Sequence, residues 1–235
     1  MNMSFTHFQS NRLIQLFIAL QLNGFCYGQY SSIYKNEFEN AVHFYSENKD
    51  KFQKIALDLN RDELFVFSIV APEIGHYSWI KNQLESNSLK VLYVQQGKDY
   101  ANFSIGYFQM KPSFVEGIEK EVQKDEDLKS CYAHCLISEM DEKKRRVIRL
   151  KRMETIDWQI QYLSAFVAIT SKKFNMNFDS KVDEVKFFST AYNTGFHKSL
   201  EAINHEMQKK RFPNFGEMKF NYSTVSAEYF LNLSK

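Results

Sequence analysis

Leu64-Phe65-Val66-Phe67-Ser68-Ile69-Val70-Ala71-Pro72-Glu73-Ile74 decides the reading of this chain. Six of the seven residues from Leu64 to Val70 are apolar, so a helix here has no polar face and belongs in the middle of a domain. Asp62 stands where an N-cap is wanted. Pro72 removes a backbone donor and predicts a disrupted turn, which puts Glu73 at the C-terminal end of the most buried helix. A carboxyl held against apolar surface resists ionisation, so it can stay protonated near neutrality and donate to a glycosidic oxygen. The plain alternative for Glu73 is an exposed helix-end carboxylate.

Outward from this stretch the pattern is helical. Phe38, Val42, Tyr45, Phe52, Ile55, Ala56 and Leu59 carry amphipathic spacing, with a break expected near Asn48. Gly75 to Leu89 predicts a short helix, and Val91-Leu92-Tyr93-Val94 the one β-like run. Pro112 to Glu116 reads as a helix start, with Ser113 and Glu116 spaced as a capping box. Helices are expected over Ala133 to Met140 and Val147 to Met153, and Asp157 is placed to cap an apolar helix through Ile169. Gly195 is placed to end the helix carrying Val185, Phe188 and Tyr192, another helix follows through Leu200 and Met207, and Ser223 or Thr224 is placed to cap a last one.

Composition agrees with this pattern. The chain has 235 residues, 22 Phe and 13 Tyr but only 3 Pro and 8 Gly, which speaks against a Pro/Gly-rich all-β chain or a disordered one. One mainly α-helical domain with at most a small β element is expected. Residues 1–28 differ from the rest: Arg12 is their only Lys or Arg, no acid occurs, and Leu13 to Leu22 is largely apolar. They resemble a secretory signal peptide cut after Gly28, which predicts an exported domain over 29–235 that begins at Gln29. The alternative is a buried first helix. The apolar run is too short to cross a bilayer, so no stable membrane span is expected after its removal.

With 30 basic and 28 acidic residues, loss of Arg12 leaves an almost neutral protein, and nothing calls for nucleic acid. The run Lys143-Lys144-Arg145-Arg146 with Arg149, Lys151 and Arg152 follows Glu139, Asp141 and Glu142, and reads as a solvated helix face. Cys131 and Cys135 are too far apart on a regular helix for a disulfide, so a bridge requires a distorted segment. His134 lies between them, but one such cluster lacks the second ligand pair of a structural zinc site. No metal is expected.

Two further stretches suit sugar binding. In Ser104-Ile105-Gly106-Tyr107-Phe108-Gln109-Met110 a hydroxyl and an amide can bond sugar hydroxyl or N-acetyl groups, while Gly106 lets a chain approach the backbone. In Ala191-Tyr192-Asn193-Thr194-Gly195, Tyr192 and Asn193 close an apolar helix; singly, they read equally well as a packed tyrosine and a helix-end asparagine.

Glu73, then Ser104-Ile105-Gly106-Tyr107-Phe108-Gln109-Met110-Lys111-Pro112, then the apolar helix from Trp158 to Ile169, then Ala191-Tyr192-Asn193-Thr194-Gly195 occur in the order typical of one superfamily. The chain from about Leu64 to Phe196 resembles the lysozyme-like superfamily, in its soluble lytic transglycosylase and goose-type lysozyme branch. Ile74 stands where that family usually has Ser, and Glu119 to Arg152 looks like an insertion.

The resemblance implies a periplasmic or secreted enzyme that cuts peptidoglycan between N-acetylmuramic acid and N-acetylglucosamine. Glu73 would be the catalytic acid and base, and Ser104, Gly106, Gln109, Tyr192 and Asn193 would bind substrate, without metal or organic cofactor. Two alternatives stand beside it. A hydrolytic lysozyme needs a second carboxylate, for which Asp99 is nearest in sequence. An exported glycan-binding or envelope protein of the same fold needs no turnover.

Overall fold

The computed structural model describes residues 28–84, 87–214 and 216–235. The leader expected over residues 1–28 lies outside them, save for Gly28. The described residues form twelve α-helices: α1 (Gln29–Ile33), α2 (Lys35–Glu47), α3 (Lys49–Asp58), α4 (Glu63–Leu84), α5 (Asn87–Gln96), α6 (Pro112–Lys124), α7 (Glu126–Tyr132), α8 (Glu142–Met153), α9 (Ile156–Phe174), α10 (Lys181–Thr194), α11 (Leu200–Met207) and α12 (Tyr222–Leu233). One antiparallel pair, β1 (Lys210–Phe212) and β2 (Phe220–Asn221), precedes α12. The fold is thus mainly α with a small β element. No helix among the described residues is long and apolar enough to cross a membrane.

Two buried helices organise the chain. Helix α4 packs against α2, α3, α10 and α12; helix α9 packs against α3, α6, α7, α8 and α10. Helices α3 and α10 therefore touch both centres and join them into one core. Phe52, Phe67 and Phe108 meet at its middle, with centroids 5.5 Å and 6.1 Å from Phe52 and all three fully buried. Offset and edge-on ring pairs of this kind stabilise a core beyond the area that they bury.

Asp62 caps α4 as expected, its carboxylate accepting the Leu64 N–H at 2.7 Å. Pro72, however, does not end the helix, which continues to Leu84 and carries Glu73 near its middle. Tertiary packing overrides the local cost: Ile69, Val70, Ala71, Ile74 and Gly75, on both sides of the proline, are all buried. The Ile69 carbonyl, within one turn of Pro72, also accepts a hydrogen bond from the Tyr222 hydroxyl of α12 at 3.1 Å.

Other local expectations divide in the same way. The break at Asn48 and the end of α10 at Gly195 occur where the sequence puts them. Val91 to Val94 is helical, because Leu89, Tyr93 and Val94 form a helical stripe packed into the core while Val91 and Leu92 face outward. Ser113 does not cap α6; Lys111 precedes it with Pro112 in the first turn, and the Ser113 N–H donates to Asn102 instead. Asp157 lies inside the first turn of α9, paired with Lys51, and Thr155 precedes that helix. Asn221 precedes α12, and the Ser223 hydroxyl donates to the Met207 carbonyl.

The segment expected as a helix from Ala133 to Met140 forms only a 3₁₀ turn over Ala133–Cys135 before leaving helical geometry. Cys131 and Cys135 at this distorted place are both free thiols, one exposed and one buried. Burial pushes the Cys135 thiol up to about 12. Helix α8 starts at Glu142, capped by Asp141. Its basic run is only partly a solvated face: Lys143, Lys144 and Lys151 are exposed, but Arg149 is buried and Arg152 lies over the Trp158 ring at 3.8 Å.

Candidate functional site

A groove of about 1390 Å³ opens beside Glu73, larger than the few hundred to about 1,000 Å³ typical of small-molecule sites. Glu73 and His76 enter it from α4, one helical turn apart. The loop from Gln109 to Lys111, the start of α6, and the end of α10 from Thr190 to Phe196 bring the remaining groups to the acid.

Glu73 is recessed yet partly open to the groove. Burial pushes its carboxyl up to about 7, against the opposing pull of the Asn193 amide and the Lys111 ammonium. Asn193 Nδ2 donates to Glu73 Oε1 at 3.4 Å, a long contact that links the middle of α4 to the end of α10. The charged form has few compensating donors, and so a proton near neutral pH is retained.

The Ser104–Met110 segment is a tight two-way turn. Ile105 and Met110 exchange backbone hydrogen bonds at 2.9 and 3.1 Å, and the Gln109 N–H returns to the Gly106 carbonyl at 3.1 Å. Gly106 has φ +72°, and a Cβ there would stand 2.7 Å from the Met153 carbonyl and collide with the Gln159 amide. The glycine therefore serves close packing onto α8 and α9; it is not part of the groove lining, which corrects its expected role as a place of substrate approach. Gln159, fully buried, accepts the Phe108 N–H at 2.8 Å and pins the turn from behind.

Five of the six expected site residues, Glu73, Ser104, Gln109, Tyr192 and Asn193, line the one groove. Their duties differ from a simple list of sugar ligands. The Tyr192 hydroxyl donates to the Phe108 carbonyl at 2.6 Å, so this side chain holds the turn against α10. Burial, and then the charge of Glu73, raise its pKa, so the phenol stays a donor. Gln109 has φ +50° and donates its own Nε2 to the Gly106 carbonyl at 2.7 Å. Asp99 also lines the groove.

The sequence reading missed Lys111, His76 and Tyr222, all of which line the groove. Lys111 lies within the quoted motif and His76 stands one turn after Glu73, so both were within reach of helix spacing and of motif position. His76 is buried, which lowers its pKa to about 4, and its Nε2 lies 2.8 Å from the Tyr30 hydroxyl. It is thus neutral at physiological pH. Tyr222 begins the last helix, and nothing local points to it.

This arrangement sets a carboxyl held up to about 7 by burial beside the Asn193 amide, in a groove lined by polar, charged and aromatic side chains. No protein family, curated protein or solved structure gives a significant match to the chain.

Proposed function

We propose that this protein cleaves the glycan strands of peptidoglycan as a lytic transglycosylase, with Glu73 as both acid and base. The observation that carries the reading is that Glu73, among the carboxyls lining the groove, is held up to about 7 by burial and touched by Asn193. A group titrating close to the operating pH serves best for transferring a proton in both directions.

Glu73 gives its proton to the glycosidic oxygen as the C1–O bond of the muramic unit breaks, and the leaving sugar departs with a free 4-hydroxyl. The carboxylate then takes the proton of the muramyl 6-hydroxyl, whose oxygen bonds to C1. A 1,6-anhydro end forms, no water is consumed, and Glu73 is protonated again. Asn193 steadies the carboxylate, and Tyr192 fixes the turn that carries Gln109. Ser104 and Gln109, which line the same groove, supply polar groups to the N-acetylated sugar.

The test is incubation of purified protein with peptidoglycan and mass analysis of released fragments. Anhydro ends, lighter by one water than hydrolysed ends, are expected, with activity falling as pH rises through about 7 and the acid loses its proton. Glu73→Gln keeps the shape but cannot donate, so turnover falls about 10²–10⁴-fold while glycan binding survives. Hydrolysed ends, together with loss of activity in Asp99→Asn on peptide-free glycan, would support the two-carboxylate alternative. Binding without any release, unchanged in Glu73→Gln, leaves the non-catalytic glycan-binding protein.

A further inference from the structure

We propose that Glu228 is a receptor for the amino terminus that cleavage after Gly28 creates: the new amino group of Gln29 pairs with this buried carboxyl and fastens α1 against the groove-lining His76. The inference rests on the expected cut after Gly28 and not on the glycan-cleaving reading.

Glu228 lies on α12 and is 1 % exposed. Its Oε2 accepts the Tyr30 N–H at 3.2 Å, and its Oε1 accepts the Ser31 N–H at 2.7 Å. Both oxygens thus meet the first turn of α1, yet no Lys, Arg or His among the described residues pairs with them. A carboxyl taken out of water costs free energy that two neutral donors offset only in part, and a cation is its usual partner. The neighbouring groups bring more acid. Burial first, and then the charges of Glu37 on α2, Glu228 on α12 and Glu73 on α4, raise the pKa of the Tyr30 phenol against the pull of the Tyr229 hydroxyl. Those three charges are all negative. His76 on α4 adds no cation, since burial lowers its pKa to about 4.

The cut puts a positive charge where these acids lack one. Gln29 opens α1, and its nitrogen precedes that of Tyr30 by one residue, a helical rise of about 1.5 Å, so an ammonium there stands beside the oxygen that Tyr30 already meets. The same cut removes the Gly28 carbonyl, which accepts the Ser32 N–H and the Ser31 hydroxyl, each at 3.3 Å. Helix α1 therefore loses two holds and gains a cation at the end where its own N–H groups oppose one. It stays docked when a carboxyl answers that charge.

What α1 holds lies next to the acid of the groove. The Tyr30 hydroxyl is 2.8 Å from His76 Nε2, and the Tyr34 and Phe212 rings close around the same imidazole at 5.5 and 5.1 Å. His76 stands one helical turn from Glu73. Glu228, Tyr30 and His76 thereby join the processed end of the chain to the groove.

The experiment compares three forms: the chain beginning at Gln29 with a free amine, the same chain after its first glutamine has cyclised, and the full chain of 235 residues. Cyclisation joins the amine to its own side-chain carbonyl with loss of ammonia, which removes the charge and is verified by mass. The amine form is expected to melt roughly 2–8 °C above the cyclised form near about pH 6. Hydrogen exchange at the Tyr30 and Ser31 N–H groups is expected to be slower in it than in the other two forms. A paired amine has a raised pKa, so the gap is full below its unfolded value of about 8 and closes as pH rises above that. Glu228→Gln abolishes the gap. Equal melting of the amine and cyclised forms overturns the inference without any substitution, and so does a gap that persists unchanged in Glu228→Gln. Amino-terminal sequencing of the native protein tests the cut separately: a start other than Gln29 overturns the inference at that step, while the melting comparison reads the pairing itself.

Discussion

At the scale of single residues, Glu73 carries two consequences of one physical fact, and one of them is independent of any substrate. Its carboxyl binds a proton more tightly in the folded chain than in the unfolded one, because burial disfavours the anion. A group shifted upward contributes stability that is fully present below its unfolded value and is lost as pH rises through about 7. Each pKa unit corresponds to about 1.4 kcal/mol, and the opening of the side chain to the groove trims the total to about 1–3 kcal/mol. Glu73→Gln removes the charge but keeps the volume, so it raises Tm by several degrees near about pH 8.5 and barely changes it near about pH 5. Thermal denaturation at the two pH values checks this; an equal shift at both would mean that the carboxyl is not held protonated by its surroundings. The apolar setting of Glu73 was legible because an acid soon after a mostly apolar run is chemically unusual. The roles of Gly106 and Tyr192 were not legible, since both are set by contacts 47 to 84 positions away, at Met153 and Phe108.

At the scale of elements, α4 shows where local rules yield to packing. Pro72 costs a helix interior about 3 kcal/mol in isolation, yet the helix runs through it between buried neighbours on four other helices. Three residues later, Gly75 allows α4 to lie directly on α2: a Cβ there would stand 2.6 Å from the Glu37 carbonyl and 3.0 Å from the Tyr229 hydroxyl. Helix propensity favours alanine over glycine by about 1 kcal/mol, but overpacking typically costs about 1–3 kcal/mol, and a backbone carbonyl has little room to retreat. Gly75→Ala is therefore a net loss of up to about 2 kcal/mol, measured as a lower midpoint in urea with unchanged slope. A neutral or stabilising result would show that α2 can shift without cost. Helix content was readable from spacing wherever a face alternates, as in α2 and α3. It was misread at Val91 to Val94, where Val91 and Leu92 sit on the exposed side of a helix, and at Ala133 to Met140, where apolar residues mark a connection.

At the scale of the whole molecule, the groove needs two walls from parts of the chain that are distant in sequence, and a buried ionic knot secures one of them. Arg149 on α8 reaches Glu119 on α6 through two bonds, at 2.9 and 2.5 Å, and donates to the Tyr93 hydroxyl on α5 at 2.7 Å. Composition showed these charges, and their helical spacing suggested a solvated face; only the packing of α5, α6 and α8 turns Arg149 inward. With Arg149 removed, Glu116 keeps Lys98 at 2.7 Å, but Glu119 would be left with uncompensated charge in a poorly hydrated place, for which a cost of about 3–5 kcal/mol is typical. Arg149→Ala is thus expected to lower Tm by roughly 10 °C, at about 2–4 °C per kcal/mol for a chain of this size. Most of that penalty belongs to the orphaned Glu119 rather than to the lost contact, so adding Glu119→Gln to Arg149→Ala should recover part of it. The double-mutant cycle separates the alternatives, because residues in one network couple by about 0.5–3 kcal/mol whereas independent ones add. Additive losses would mean that the knot does not hold the wall, and the charged wing of the groove would then be set by the aromatic core alone.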